Sequence, residues 1–295
     1  MEDRTKMKHA YLIIVHHEFD VLQRLVSVLD DKRNDIYIHF DKKIEDLPVV
    51  ETKKANLLIL KKRIDVRWGD VSQIEAEYRL FESSFEGGPY SYYHLLSGVD
   101  MPLKSQDEIH TFFDRHQGKE FIGFDQQIDS KEIDRKVRRY HLFPRFFRSE
   151  TGLLDVIRRM IRFVALRLQC IFGIKRHTSI DFKKGTSWIS VTHDFIGFLL
   201  PKFEEVKKMY TNSFCADEIF LHTLCWNSSF RANLYDAGNE TRGSMRLINW
   251  NNNRLVEWKD EDYDILMQSN AMFARKFSYK HFEIVERVIS QINKT

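Results

Sequence analysis

The sequence predicts an α/β protein organised on a mostly parallel central sheet flanked by helices, and three features carry that expectation. Ala10 to Val15 (Ala-Tyr-Leu-Ile-Ile-Val) is an unbroken apolar run of strand length, as expected for a strand covered on both faces. Asp35 to Asp41 (Asp-Ile-Tyr-Ile-His-Phe-Asp) is a second such run, ending in a carboxylate. Between them, Phe19 to Leu29 sets Val21, Leu22, Leu25, Val26 and Leu29 at helical spacing. A strand–helix–strand order favours parallel pairing.

The remaining elements follow in order. Leu57 to Leu60 is strand-like, and Val71 to Phe85 is an amphipathic helix. Tyr90 to Leu96 is an aromatic strand running into the Gly/Pro-punctuated loop Ser97 to Pro102. Ile109 to Phe113 is expected to be helical and Glu120 to Phe124 extended. Lys184 to Val191 is a loop entering a strand, followed by a helix from His193 to Leu200 that Pro201 stops. Arg246 to Trp250 and Arg254 to Trp258 look like short strands, and helices are expected over Asp260 to Gln268 and Lys280 to Ile292. Open parallel sheets bind ligands beyond the carboxyl ends of their strands. His16, His17, Asp41 and the segment Arg67-Trp68-Gly69 fall there, in one expected crevice.

Composition narrows the class. At 295 residues, the chain has room for one large domain or two small ones. Only 5 Pro and 12 Gly argue against linkers or low-complexity tails. No signal peptide or bilayer-length apolar run is visible, and Cys170, Cys215 and Cys225 form no metal-like pair, which points to a reducing, cytoplasmic setting.

The net charge of +3 is unevenly spread. Lys131 to Arg176 holds 13 Lys and Arg against 4 Asp and Glu, a local +9 that leaves −6 elsewhere. Three readings of that stretch are open. A helix from Leu153 to Phe172 packed on the domain by Leu153, Ile157, Ile161, Val164 and Leu168 ranks first. Peripheral contact with an anionic membrane face follows closely. Nucleic-acid binding is a distant third, because no recognised module accompanies the charge.

Ser213 to Leu224 is the stretch richest in chemistry. Ser213 suits the cap of a helix whose Ile219, Phe220 and Leu224 face a core. Asp217 and Glu218 then fall in the first turn, pointing about 100° apart. An acidic first turn is the plainer reading of these residues; a carboxylate held ionised at a cleft edge, as a general base requires, is the sharper one.

Seven blocks then decide between them. Ile14-Val-His-His-Glu18 with Leu22-Gln-Arg-Leu25, Ile38-His-Phe-Asp41, Arg67-Trp-Gly69, Leu95 to Ser105, Gly185-Thr-Ser-Trp188, Ala216-Asp-Glu-Ile219 and Phe273-Ala-Arg-Lys-Phe277 occur in order from about residue 8 to residue 280. This pattern resembles the core-2/I-branching glycosyltransferase family, inverting enzymes that include relatives of protein xylosyltransferases. The resemblance implies a GT-A-type fold in a single domain over 1–295. Its nucleotide-sugar half would span about 8–125, and its acceptor and catalytic half about 126–295. It also implies a UDP-sugar donor, N-acetylglucosamine ahead of xylose, and a glycan or lipid-linked glycan acceptor. Without a visible N-terminal anchor, a bacterial role in capsule, exopolysaccharide or lipopolysaccharide synthesis is expected, at the inner membrane face if 131–176 touches lipid. A nucleotide- or sugar-binding protein that has lost catalysis is the alternative of a different class.

Residue by residue, the resemblance makes Glu218 the base and Asp217 its support. Lys276 matches the diphosphate-binding lysine, with Arg246 preferred to Arg254 as its partner and Arg275 as a further cation. His39-Phe40-Asp41 stands where metal-dependent enzymes carry two carboxylates, so no metal or other cofactor is expected and cations replace it. His16, His17, Asp41, Arg67 and Trp68 are expected on the donor side. Asp100, Glu120, Arg139, Tyr140, Ser187 and Trp188 are expected on the acceptor side.

Overall fold

Three fully buried strands form the centre of the sheet in the computed structural model, which describes residues 7–127, 129–148, 152–251 and 254–294. Strand β1 (His9–Val15) is followed by helix α1 (Phe19–Leu29), β2 (Asn34–Phe40) and β3 (Asn56–Ile59). Helix α2 (Ser72–Gly87) leads to β4 (Tyr92–Ser97) and the short β5 (Asp100–Pro102). After α3 (Gln106–Arg115) come α4 (Ser130–Lys136), α5 (Leu153–Ile171) and β6 (Ser190–Val191). Helices α6 (His193–Leu199), α7 (Phe203–Tyr210), α8 (Phe220–Trp226) and α9 (Glu240–Ser244) precede β7 (Arg246–Ile248). The hairpin β8 (Trp250–Asn251) and β9 (Arg254–Leu255), then α10 (Tyr263–Gln268), β10 (Phe273–Arg275) and α11 (Phe282–Ile292) complete the order.

The main sheet runs β3-β2-β1-β4-β6. Its first four strands are parallel and β6 is antiparallel to β4. This is the α/β architecture expected from the apolar runs, and its physical cause is the same: β1, β2 and β4 are buried along their whole length, so both faces need cover. One face packs Val21, Leu22, Leu25 and Leu29 of α1 with Val285 and Val288 of α11. The other packs Ile74, Leu80 and Phe81 of α2 with Phe195 of α6 and Phe220 of α8. Each core therefore draws on both halves of the chain.

A second sheet, β5-β10-β7, starts from β5, which is separated from the end of β4 by two residues. Its register sets Arg275 against Asp100 and Phe273 against Arg246. Those two pairings decide where the C-terminal cations go.

Helix α5 departs from its first-ranked reading. Of its residues only Asp155 and Gln169 are buried, while Leu153, Ile157, Ile161, Val164 and Leu168, expected to pack, are all exposed. Among the described residues, no helix is long and apolar enough to cross a membrane. All three cysteines are free.

Candidate active site

The acidic pair comes to rest on a turn ahead of α8. Cys215 adopts a left-handed conformation (φ 48°, ψ 53°), Ala216–Glu218 forms one 3-10 turn, and Ile219 (φ −124°) separates it from α8. The expected continuous helix is thus interrupted, and Ser213 is not its cap: its hydroxyl accepts from Arg176 Nη2 at 2.6 Å. Backbone hydrogen bonds hold the turn from three directions. Phe214 N donates to Lys136 O (2.8 Å), Cys215 N to Gly69 O (2.9 Å) and Gly185 N to Glu218 O (3.0 Å). At Gly185 a side chain has no room, because a Cβ would lie 1.9 Å from the Gly123 carbonyl oxygen.

The two carboxylates then diverge. Asp217, half-buried, accepts from Ser187 Oγ at 3.3 Å, and desolvation followed by the Glu218 charge raises its pKa. Behind it, the fully buried Glu77 of α2 is raised as well, by burial and then by Asp217. Glu218 keeps 36% of its side chain exposed, and Lys136 Nζ donates to its Oε2 at 2.7 Å. Oε1 has no hydrogen-bond partner among the described residues.

Lys136 is only 8% exposed and also reaches Glu132 at 3.1 Å. Burial opposes its charge, but the carboxylates of Glu218 and Glu132 together outweigh this and its pKa rises. Lys184 in turn bridges Glu132 (3.2 Å) and Asp125 (3.3 Å). Alternating charges so run from Glu218 through Lys136, Glu132 and Lys184 to Asp125. Sequence reasoning missed Lys136 and Lys184. The i,i+4 spacing of Glu132 and Lys136 reads as a solvated surface pair, and nothing in it announces a contact 82 residues away.

From Asp217 the contacts continue to the C-terminal cations. Next to Ser187, the Trp188 ring lies 4.1 Å beneath the Arg275 guanidinium. Arg275 Nε is 3.6 Å from Asp100 Oδ1, and both side chains are largely enclosed (13% and 1% exposed). Asp100 also accepts from Ser97 N at 3.1 Å; burial raises its pKa and Arg275 opposes the rise. Asp100 therefore serves Arg275 and does not project into the cleft as expected for an acceptor contact. Lys276, by contrast, is 31% exposed, with Glu257 loosely paired at 3.9 Å.

Arg246 is placed differently from the expectation. It is 1% exposed, stacks on Phe273 at 4.3 Å and donates to the carbonyls of Ser244 (3.0 Å) and Ile189 (2.9 Å) and to Ser190 Oγ (2.9 Å). Its cross-strand register with Phe273 turns it into the core, where it ties β7 to the entry of β6. Arg254, the runner-up, is exposed on the β8–β9 hairpin.

On the donor side, His16 and His17 stack at 4.0 Å just past β1. Burial and then the His17 charge lower the His16 pKa to about 4, with Arg275 adding to this and Asp41 opposing. Burial lowers His17 too; Lys276 adds to the shift, against Glu18 and Glu257. Both shifts favour the neutral imidazole, which can accept as well as donate. The Asp41 carboxylate is engaged by Lys43 N (2.9 Å) and Nζ (2.7 Å). Lys43 also reaches Asp65 (3.2 Å), which holds Arg67 (2.9 Å) and Arg145 (2.9 Å). Trp68 is 46% exposed, meets Phe214 edge-on and carries Arg148 over its ring at 4.1 Å, so it leans towards the Glu218 turn.

Two acceptor-side expectations land elsewhere. Tyr140 binds α5, its N–H donating to Gln169 Oε1 at 2.7 Å, with Arg139 half-buried beside it. Glu120 is wholly enclosed, accepting from Thr192 N (2.9 Å) and Thr192 Oγ1 (2.6 Å), while Thr192 caps α6. Burial pushes its pKa up to about 7 against these two bonds. The native state therefore holds this proton at pH values where the unfolded chain has lost it. The stabilising contribution of that proton is complete below about pH 4 and fades as the pH rises to about 7. Glu120→Gln is expected to remove this dependence. The stability of the wild type relative to the variant falls by about 3 kcal/mol between pH 4 and pH 8, measured by urea unfolding. An unchanged difference across that range contradicts it.

A concavity of about 820 Å³, lined by Lys104, Arg115, His116, Tyr235, Arg242 and Asn270 among others, shares no residue with this cluster. Among the described residues, no group of three or more His, Cys, Asp or Glu is arranged to hold a metal ion.

Comparison with known proteins gives the family. Xylosyltransferase 2 of Canis lupus familiaris is 23% identical over 304 residues, covering 93% of this chain and 32% of the relative. Xylosyltransferase 2 of Mus musculus is 23% identical over 297 residues (91% and 31%). Xylosyltransferase oxt of Drosophila melanogaster is 20% identical over 307 residues (94% and 32%). The chain spans about a third of the length of these relatives. The solved structure of mouse Xyloside xylosyltransferase 1, apo form, covers 90% of this chain and 97% of its own at 9% identity, with a TM-score of 0.35, too loose a superposition to bear on the fold. The model of the Core-2/I-Branching enzyme family matches residues 9–281, which hold every described strand and the residues Glu218 and Lys276, and the chain belongs to that family.

Proposed function

We propose that the protein is an inverting glycosyltransferase of GT-A type that moves a sugar from a UDP-sugar to a hydroxyl of a glycan acceptor. What supports this reading is a pair of contacts, Ser187 with Asp217 and Arg275 over Trp188. With chain adjacency at 187–188, 217–218 and 275–276, they tie the turn that carries a partly exposed carboxylate, Glu218, to the strand end that carries a partly exposed cation, Lys276. In a single displacement, Oε1 of Glu218 takes the proton of the acceptor hydroxyl as that oxygen bonds to the anomeric carbon. The bond from that carbon to the β-phosphate oxygen breaks on the opposite face, and UDP leaves with the electron pair. Lys276 meets the negative charge that develops there, while Arg246 is held in the core.

N-acetylglucosamine is the first choice of donor sugar, and the xylosyltransferase relatives favour UDP-xylose as the second. The reaction is proposed to proceed without a metal or other cofactor and to serve bacterial surface-polysaccharide assembly in the cytoplasm. Thermal-shift screening against UDP-N-acetylglucosamine, UDP-xylose and other nucleotide sugars tests the reading, followed by transfer assays with the sugar that binds. A UDP-sugar is expected to raise the melting temperature by several degrees at a concentration about 100 times its Kd. Stabilisation by GDP- or CMP-sugars alone overturns the donor assignment.

A further inference from the structure

Helix α5 is an amphipathic helix mounted with its apolar side facing out. It meets the domain along one line: Gln169 exchanges hydrogen bonds with Tyr140 (2.7 and 2.9 Å), and Arg162 donates to the carbonyls of Leu142 (3.0 Å) and Phe143 (3.1 Å). Asp155, the other buried residue, lies on the same line. With successive residues about 100° apart, the apolar residues cover about half of the circumference, centred directly opposite that line. Leu153 (77% exposed), Met160, Phe163, Val164 and Ile171 lie on this outer face, and Phe172 (71%) extends it. Tyr140, Leu142, Phe143 and Phe146, on the segment leading into the helix, are exposed as well. A soluble surface rarely carries so large a contiguous apolar patch without a use for it.

The charges around the patch say what covers it. Arg159 and Arg167 are exposed along the helix and Lys175, paired with Asp134, lies just beyond it, while Asp155 is the one acidic residue within α5 and is already paired with Arg158 at 2.9 Å. An apolar face bordered by Arg159 and carrying Arg167 over the Phe163 ring fits a layer that is apolar inside and negatively charged at its surface. A second copy of the chain fits poorly, because a two-fold contact through α5 would oppose two helices that each carry four arginines against one aspartate, a net +3. Nucleic acid would find hydrocarbon where it needs cations. The arginines and the absence of a spanning helix among the described residues place α5 in the interface and not across it.

We infer that α5 docks the protein on an anionic membrane surface, lying in the plane of the headgroups with Leu153, Met160, Phe163 and Ile171 inserted and the arginines at the phosphates. Tyr140, which ties α5 to the domain, lies just beyond α4, whose Lys136 holds Glu218. Docking therefore sets the Glu218 edge of the cleft near the lipid; the orientation of the catalytic edge rests on the base assignment above, whereas the docking does not.

Vesicle flotation of the full chain tests this, with phosphatidylcholine alone and with phosphatidylcholine containing 30% phosphatidylglycerol. Binding to the anionic vesicles is expected, at least tenfold stronger than to the neutral ones, and weakened by 0.5 M salt. The variant Leu153→Gln, Met160→Gln, Phe163→Gln and Ile171→Gln is expected to lose at least tenfold of that binding. Its melting temperature and its thermal shift with UDP are expected to stay within error, since these side chains touch solvent. Arg159→Glu with Arg167→Glu is expected to abolish the preference for anionic lipid. Three results overturn the inference: no flotation with either vesicle, flotation unaffected by the four glutamines, or a stable dimer in solution that the same variant dissociates.

Discussion

Glu218→Gln is expected to lower kcat for sugar transfer by about 10²–10⁴-fold while leaving UDP affinity unchanged. The amide fills the same space and still meets Lys136, but it cannot take a proton. Lys136 is not stranded by the change, because Glu132 lies 3.1 Å away on its other side. The loss is thus expected in turnover and not in stability. Initial rates at saturating donor, together with calorimetric titration of UDP, separate the two. A variant that retains more than a third of wild-type turnover removes Glu218 from the role of base.

Lys276→Ala is expected to act on the other half of the displacement, lowering kcat/KM by about 10²–10³-fold and weakening UDP binding in parallel. The side chain has little structural work to lose: its contact with Glu257 is 3.9 Å long, with both partners about a third exposed. The wild type is expected to keep full activity in a chelator. If activity vanishes in the chelator and manganese restores it, the cation-for-metal argument fails even if Lys276→Ala is inactive.

Much of the fold was legible in the sequence, because β1, β2 and β4 are apolar along their whole length and α1 repeats its apolar residues at helical spacing. The topology also gathered His16, His17 and the Arg67 loop by a rule about strand ends alone. What one-dimensional reasoning could not supply was register and facing. Arg246 and Arg275 are both basic residues on short strands near the C-terminus, and only register assigns their partners: Arg246 faces Phe273 and braces backbone carbonyls, whereas Arg275 faces Asp100 and is enclosed between it and Trp188. Glu120 had the right residue type for an acceptor contact, yet a bridge between Phe121 and Ser190 brings it to the cap of α6. Helix α5 shows the same gap at a larger scale. Periodicity identified its apolar stripe correctly, but whether a stripe faces a domain or the outside depends on what surrounds it, and sequence spacing carries no such information.

The backbone bonds that clamp residues 214–218 to Lys136, Gly69 and Gly185 bear on the timing of catalysis. A carboxylate on a free loop would have to surrender its motional freedom each time an acceptor arrived, at the expense of affinity. Here that ordering happens once, when the chain folds, so an arriving hydroxyl meets a proton-accepting oxygen already waiting in place.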